Sequence, residues 1–164
     1  MSVESQKLLR VKSVITNEIK SIMAIETDLK KWKSLHGRSP GPFEIRAAGS
    51  LLQDFYNCIE RIFEMIGRDL NGGIPASDDW HKEILNNMAM GIEKVRPAVI
   101  SENLKKDLNN YLKFRHLFRN IYGAKLEWSK MEFLVSGLPE AFKKFEKEIK
   151  VFCRFLDKAS EEIK

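Results

Sequence analysis

Five polar residues suited to phosphate chemistry lie close together in a stretch with the apolar spacing of an α-helix: Arg115, His116, Arg119, Asn120 and Tyr122. If Leu104 marks the centre of the buried stripe, helical geometry places Arg115 at about 20° and Tyr122 at about 0°. Arg119 follows at about 60°, so these three side chains point where apolar residues are expected. His116 and Asn120 lie at the edge of the same stripe.

Two explanations fit a guanidinium that points towards the core. An unpaired buried charge is costly, so Arg115 either pairs with a carboxylate on the second helix or lines a polar cleft. Asp54, Glu60 and Glu64 are candidate carboxylates for such a pair. A polar cleft would suit phosphate, because a guanidinium offers a planar fork of donors to phosphate oxygens. His116 would then supply acid–base chemistry near neutral pH.

The sequence offers no pattern for a metal or a cofactor, and we expect neither. His36, His81 and His116 show no ligand spacing with a cysteine, and no acidic metal-binding cluster accompanies them. A phosphate reaction would therefore be a metal-free cleavage that uses the 2′-hydroxyl of RNA itself. His81 is expected to have a capping or surface role. Cys58 and Cys153 lie within apolar patterns and are expected to be buried, reduced thiols.

The composition is typical of a small folded protein. The 164 residues are 43% hydrophobic and 31% charged, which predicts one domain over residues 1–164 with its own core. The net charge of +5 permits a polyanionic partner such as RNA without requiring one. No export signal opens the chain, and no apolar run approaches the roughly 18 residues of a membrane span. We therefore expect a cytoplasmic protein with no membrane association.

Helical spacing of apolar residues runs through the whole chain, without an alternating strand pattern of useful length. The predicted elements are helices over about 3–35 and 43–70, a third from a cap at 77 or 78 through 92, a fourth from a cap at 101 through 121, a kinked stretch over 123–139 and a fifth helix over 140–163. They predict an all-α, up-and-down bundle of about five helices. The first helix would be about 50 Å long, so we expect it to kink or to extend into a partner.

The stretch Phe-Arg-His-Leu-Phe-Arg-Asn-Ile-Tyr-Gly over residues 114–123 resembles the signature of HEPN domains, in particular of the HepT-like toxins. That signature is an arginine, a polar residue, three further positions, a histidine, any residue and a tyrosine. The resemblance extends to residues 54–63, to Asn-Gly-Gly-Ile-Pro over 71–75 and to Asp-Trp-His over 79–81. It covers about residues 40–155.

This resemblance implies a helical homodimer whose paired motifs face each other across a cleft and form a composite, metal-independent endoribonuclease. It also implies a partner, a minimal nucleotidyltransferase (MNT) antitoxin, which in some systems adenylylates the motif tyrosine and silences the toxin. On this sequence Arg115 takes the place of the motif arginine, and His116 that of the polar residue after it. Tyr122 is the candidate AMP acceptor, and Arg119 is expected to bind RNA phosphate.

Asn120 occupies the position where the signature has its histidine. An asparagine side chain can hold a 2′-hydroxyl or a phosphate oxygen, but it cannot exchange a proton near neutral pH. One alternative is that His116, one turn earlier, supplies the acid–base function, with Arg115, His116 and Asn120 as the catalytic residues of a ribonuclease toxin. The other is a catalytically weakened subunit that binds, and is adenylylated by, the nucleotidyltransferase.

Overall fold

The computed structural model describes residues 1–121 and 125–163 and has five α-helices in these ranges. They are α1 (Val3–His36), α2 (Pro42–Leu70), α3 (Trp80–Met88), α4 (Glu102–Asn120) and α5 (Trp128–Glu162). The described residues form no strand, only an isolated antiparallel bridge between Ile92 and Arg96. The predicted all-α bundle of about five helices is therefore confirmed. No helix in this part of the chain is long and apolar enough to cross a membrane.

Side-chain contacts at both ends of α1 fix the direction of its neighbour α2. Near the start of α1, Nε of Arg10 lies 3.0 Å from Oδ2 of Asp69, at the end of α2. At the opposite end, the Trp32 indole donates to the backbone carbonyl of Glu44 at 2.8 Å. α1 and α2 are therefore antiparallel, as an up-and-down bundle requires.

The length of α1 is matched by α5, which has 35 residues to its 34. Lys12 of α1 pairs with Asp157 near the end of α5 at 2.6 Å, and the Trp32 and Trp128 rings meet 5.4 Å apart at the other end. Buried side chains line α1 from Ser5 to Trp32. The long first helix, which we expected to kink or to extend into a partner, thus finds a packing partner of equal length within its own chain.

α2 occupies the centre of the bundle and contacts all four other helices. Its broad apolar face predicts contacts on more than one side, and the structure confirms this. The Phe55 ring packs edge-on against Tyr111 of α4 with the ring centres 5.1 Å apart. The Phe63 ring packs in the same way against Phe145 of α5 at 6.1 Å. The position of α2 allows a polar group on it to meet charges from several helices.

α3 ends at Met88, so the prediction of a helix through residue 92 is wrong. The buried Arg96 side chain accounts for the early end. Its guanidinium donates to the backbone carbonyls of Asn87 at 3.1 Å and Met90 at 2.8 Å, and also to the side-chain oxygen of Asn71 at 2.8 Å. A longer helix would use those carbonyls for its own hydrogen bonds. Arg96 thus stabilises a turn at the point where the helix would otherwise continue.

α5 begins at Trp128 and continues through Pro139, so the prediction that the last helix begins at about residue 140 is wrong. A proline inside a helix removes one backbone hydrogen bond and costs about 3 kcal/mol. Burial outweighs that cost here, because Met131, Leu134 and Leu138 are all buried in the first turns of α5. The Tyr111 hydroxyl also donates to the Leu134 carbonyl at 2.8 Å and secures this segment to α4.

Gly49 allows α2 and the end of α4 to approach closely. A Cβ atom on Gly49 would lie 2.8 Å from Cε2 of Phe118 and 3.2 Å from Cδ1 of Leu126. Real Cβ atoms are essentially never found at the first of these distances, so any side chain at position 49 must displace the Phe118 ring. This glycine therefore sets how closely the polar end of α4 packs on α2.

Gly49→Ala is expected to lower the free energy of unfolding by about 1–2 kcal/mol, because overpacking outweighs the better helix propensity of alanine. Gly137→Ala is the matched control within a helix, since a Cβ there meets only the Tyr111 hydroxyl at an ordinary 3.6 Å. That variant should be neutral or stabilising by up to about 1 kcal/mol. Urea unfolding measures both, and equal effects would contradict a close approach at Gly49.

Candidate functional site

Arg115 lies in the interior of the bundle and forms a bidentate ion pair with Glu60 of α2. Nη1 of Arg115 lies 2.7 Å from Oε1 of Glu60, and Nη2 lies 2.9 Å from Oε2. The side chain of Arg115 is 2% exposed and that of Glu60 is 6% exposed. Of the two explanations that the sequence leaves open, the structure shows the ion pair, and it identifies Glu60 as the carboxylate.

Groups from α2 and α3 surround this ion pair. Nη1 of Arg115 also donates to Oδ1 of Asn57 at 3.1 Å, and Cζ of Arg115 lies 4.9 Å from the ring centre of Tyr56. Nδ1 of His81 lies 2.9 Å from Oε2 of Glu60 and 3.0 Å from Nη2 of Arg115. We call Tyr56, Asn57, Glu60, His81 and Arg115 the ion-pair cluster. His81 is not the surface or capping residue that the sequence suggested.

Helical periodicity explains why the polar groups of α2 share a face. Asn57, Glu60 and Glu64 follow one another at steps of three and four residues, so they lie along one side of the helix. The Arg115 side chain leans towards the start of α4, as helical side chains do, and so reaches the middle of α2. That polar stripe is the sequence signal for the arginine's partner. No local signal points to His81, which lies 34 residues from Arg115.

Two polar atoms of the ion-pair cluster are buried without a hydrogen bond to any described residue: Nε of Arg115 and the hydroxyl of Tyr56. Burial and, next, the negative charge of Glu60 raise the pKa of Tyr56, so this hydroxyl stays protonated at neutral pH. An unsatisfied buried group costs about 1–3 kcal/mol. The ion pair and the surrounding core must therefore offset the cost of these two atoms.

His116 and Asn120 lie one turn apart on the exposed side of α4 and contact each other. Nδ2 of Asn120 donates to the backbone carbonyl of His116 at 2.9 Å and lies 3.4 Å from Nε2 of its ring. Consecutive residues of a helix point about 100° apart, so the His116 side chain leaves α4 in a different direction from that of Arg115. The structure therefore brings His116 and Asn120 together and does not join them to the Arg115 guanidinium.

The other two residues of the polar stretch have different outcomes. Arg119 is exposed, so its expected place in the buried stripe is wrong. It lies in the last turn of α4, and a wheel angle predicts burial only where another element covers the helix. Tyr122, the candidate AMP acceptor, lies outside the described residues. The RNA-binding role of Arg119 and the acceptor role of Tyr122 stay predictions. So do the catalytic roles of Arg115, His116 and Asn120.

Neither cysteine is suited to nucleophilic chemistry. Both are free thiols, with Cys58 buried and Cys153 half-buried. Burial raises the pKa of Cys58 to about 11 and also raises the pKa of Cys153, so both remain protonated at neutral pH. Among the residues that the structure describes, no group of three or more His, Cys, Asp or Glu side chains is arranged to hold a metal ion.

Comparison with known families gives one match. A family model described as HepT-like protein matches residues 47–156, which run from the first turns of α2 to near the end of α5. The matched range contains the whole ion-pair cluster as well as His116 and Asn120. No curated protein and no solved structure matches the chain.

Arg115→Ala is expected to lower the free energy of unfolding by about 3–5 kcal/mol, because it leaves the buried Glu60 carboxylate without its guanidinium partner. Arg61→Ala is the matched control. Arg61 makes an equivalent bidentate pair with Glu18, at 2.9 and 3.2 Å, on the surface. Loss of such an exposed pair costs about 0–1 kcal/mol. Urea unfolding measures both variants.

The double variant Arg115→Met with Glu60→Leu separates charge burial from lost packing. Replacing both charges by apolar groups of similar volume is often neutral or stabilising, so the double variant should be more stable than Arg115→Met alone. A double variant as unstable as the single one would contradict the view that an uncompensated charge is the main cost.

Proposed function

The chain belongs to the HepT-like protein family, and on that premise we propose that it is the toxin of a HEPN/MNT toxin–antitoxin pair. Its activity is metal-independent endonucleolytic cleavage of RNA by a homodimer, in a cleft between the two copies, in the cytoplasm. The observation that carries this proposal is the contact between His116 and Asn120 on the exposed side of α4, next to the exposed Arg119.

The exposed groups of α4 suit cleavage of RNA by its own 2′-hydroxyl. The 2′-oxygen attacks the adjacent phosphorus and the bond to the 5′-oxygen breaks, which leaves a 2′,3′-cyclic phosphate and a 5′-hydroxyl. His116 exchanges a proton in this reaction near neutral pH. Asn120 holds a hydroxyl or a phosphate oxygen through its amide, and Arg119 binds the phosphate.

Arg115 contributes to the proposed site by positioning α4. Its charge is balanced by Glu60, and its Nη atoms already donate within the ion-pair cluster. It therefore fixes the rotation of α4 against α2, and so determines that His116 and Asn120 face outwards. Under this proposal the arginine of the polar stretch supports the site, while Arg119 is the arginine that meets RNA.

A second copy of the chain completes the proposed site. His116, Leu117 and Asn120 are all exposed on α4. Leu117 is 47% exposed, and a partner helix packed on this side would cover its apolar side chain. Two α4 helices that meet here bring two copies of His116 and Asn120 to one cleft.

A second candidate function is a non-catalytic subunit that binds a minimal nucleotidyltransferase. Two observations favour it: the residue in the histidine position is Asn120, and the Arg115 charge is neutralised by a buried carboxylate. Tyr122 is the acceptor of AMP, or the docking residue, in this proposal. The two functions differ in whether the protein alone cleaves RNA.

Purified protein is expected to cleave single-stranded RNA in the presence of EDTA and to leave 2′,3′-cyclic phosphate ends. His116→Ala should reduce the rate by about 10²–10⁴-fold, the contribution of a positioned acid–base group. Product ends are identified by mass spectrometry of a defined oligonucleotide. His36→Ala, which removes an exposed histidine at the end of α1, is the matched control and should cleave like the wild type.

Cleavage that needs a divalent metal, or that His116→Ala leaves unchanged, would contradict the proposed mechanism. Arg115→Ala is unsuited as an inactive control, because its expected instability would remove activity without any catalytic role. Failure of the wild type to cleave any RNA would leave the second candidate as the function.

Under this second candidate, co-expression with a minimal nucleotidyltransferase of the MNT type is expected to yield a stable complex and an AMP adduct on the chain. Intact-mass and peptide mass spectrometry locate the adduct, and Tyr122→Phe should abolish it. Absence of both a complex and an adduct would reject the second candidate and the proposed partner.

A further inference from the structure

His81 carries a half-buried imidazole that a buried carboxylate contacts. Its side chain is 32% exposed, whereas the Glu60 carboxylate that it contacts is 6% exposed. Nδ1 of His81 lies 2.9 Å from Oε2 of Glu60. His81 is therefore a partly solvent-exposed member of the ion-pair cluster, in contact with its buried charges.

Stacking on a neighbouring aromatic side chain also fixes the orientation of the ring. The Trp80 indole stacks on it, with the ring centres 3.7 Å apart and the planes 29° apart. Nη2 of Arg115 donates to the same Oε2 of Glu60 at 2.9 Å and lies 3.0 Å from Nδ1 of His81, so the two nitrogens share one acceptor oxygen. Nε2 of His81 makes no hydrogen bond to any residue that the structure describes. The ring is thus held through Nδ1, while Nε2 has no partner among the described residues.

This arrangement is that of a general acid–base histidine. A carboxylate bound to Nδ1–H selects the tautomer whose Nε2 carries a free lone pair, and it stabilises the imidazolium that forms when Nε2 takes a proton. A histidine that only caps a helix or fills a surface position does not need a buried carboxylate and a stacked ring to orient it.

RNA cleavage requires two proton transfers, one from the 2′-hydroxyl and one to the 5′-oxygen that leaves. Each copy of α4 offers one histidine, because position 120 is asparagine, so a cleft between two copies repeats His116 and adds no second kind of acid–base group from α4. His81 contacts the guanidinium of Arg115, the residue that precedes His116 in α4.

We propose that His81 is the general base of the reaction, an assignment that rests on the proposed ribonuclease function. Nε2 of His81 takes the proton of the 2′-hydroxyl as the bond from the 2′-oxygen to phosphorus forms. Protonated His116 gives a proton to the 5′-oxygen as the bond from that oxygen to phosphorus breaks. Solvent then removes the proton from His81 and returns one to His116, so the balance closes without a metal or a co-reactant.

The charges around His81 come from both helices packed against it. Glu60 and Glu64 approach from α2, and Arg115 approaches from α4. Burial and then Glu60 raise the pKa of Glu64, while Arg68, His81 and Arg115 lower it.

His81→Asn is the deciding variant, because its amide can still donate to Glu60 but cannot take a proton. We expect kcat to fall by about 10²–10⁴-fold with KM little changed. The pH–rate profile should also lose its acidic limb, where the base must be deprotonated, and keep the basic limb set by His116. His36→Asn is the matched control and should leave the profile unchanged. Thermal unfolding confirms that each variant is folded.

Chemical rescue gives an independent readout. Added imidazole should restore part of the activity of His81→Ala, since a free base can replace the missing one, whereas it should not change the wild type. A residue with a merely structural role would show no such rescue.

The outcomes separate this assignment from the proposed function. No RNA cleavage by the wild type would overturn both. Wild-type cleavage that His81→Asn leaves intact would overturn the assignment alone. Loss of activity with both limbs of the pH profile retained, and without rescue by imidazole, would likewise overturn it and make His81 a structural residue.

Discussion

The bidentate pair between Arg115 and Glu60 is the interaction on which the arrangement of this bundle depends. It joins α2 to α4 in the interior, and through His81 it also joins the first turn of α3. Two charges removed from water must satisfy one another nearly completely. Their geometry therefore fixes the rotation of α4, and with it the outward direction of His116 and Asn120.

Most of the fold follows from apolar spacing, because the spacing within each helix is a local property of the chain. α1, α2 and the start of α4 lie within a residue or two of their predicted bounds. The two misplaced bounds depend on contacts that spacing does not contain. The Arg96 side chain takes carbonyls that a longer α3 would use, and buried side chains on both sides of Pro139 keep α5 continuous.

The candidate site was predictable in part for the same reason. The polar groups on α4 break its apolar pattern, which is visible in sequence, and Glu60 was among three carboxylates that could neutralise Arg115. The choice of Glu60 depends on the antiparallel packing of α2 and α4. His81 was missed, since its contact with Arg115 depends on where the loop after α2 returns the chain. Arg119 was misplaced because the packing at the last turn of α4 covers Phe118 and leaves Arg119 exposed.

The buried ion pair also constrains how this sequence can change over generations. A lineage that loses either charge must pass through an intermediate with a lone buried charge, which few marginally stable proteins can tolerate. Arg115 and Glu60 can therefore persist together after any catalytic need for them has gone. An arginine at this position in a related sequence is therefore explained by the architecture of the bundle alone.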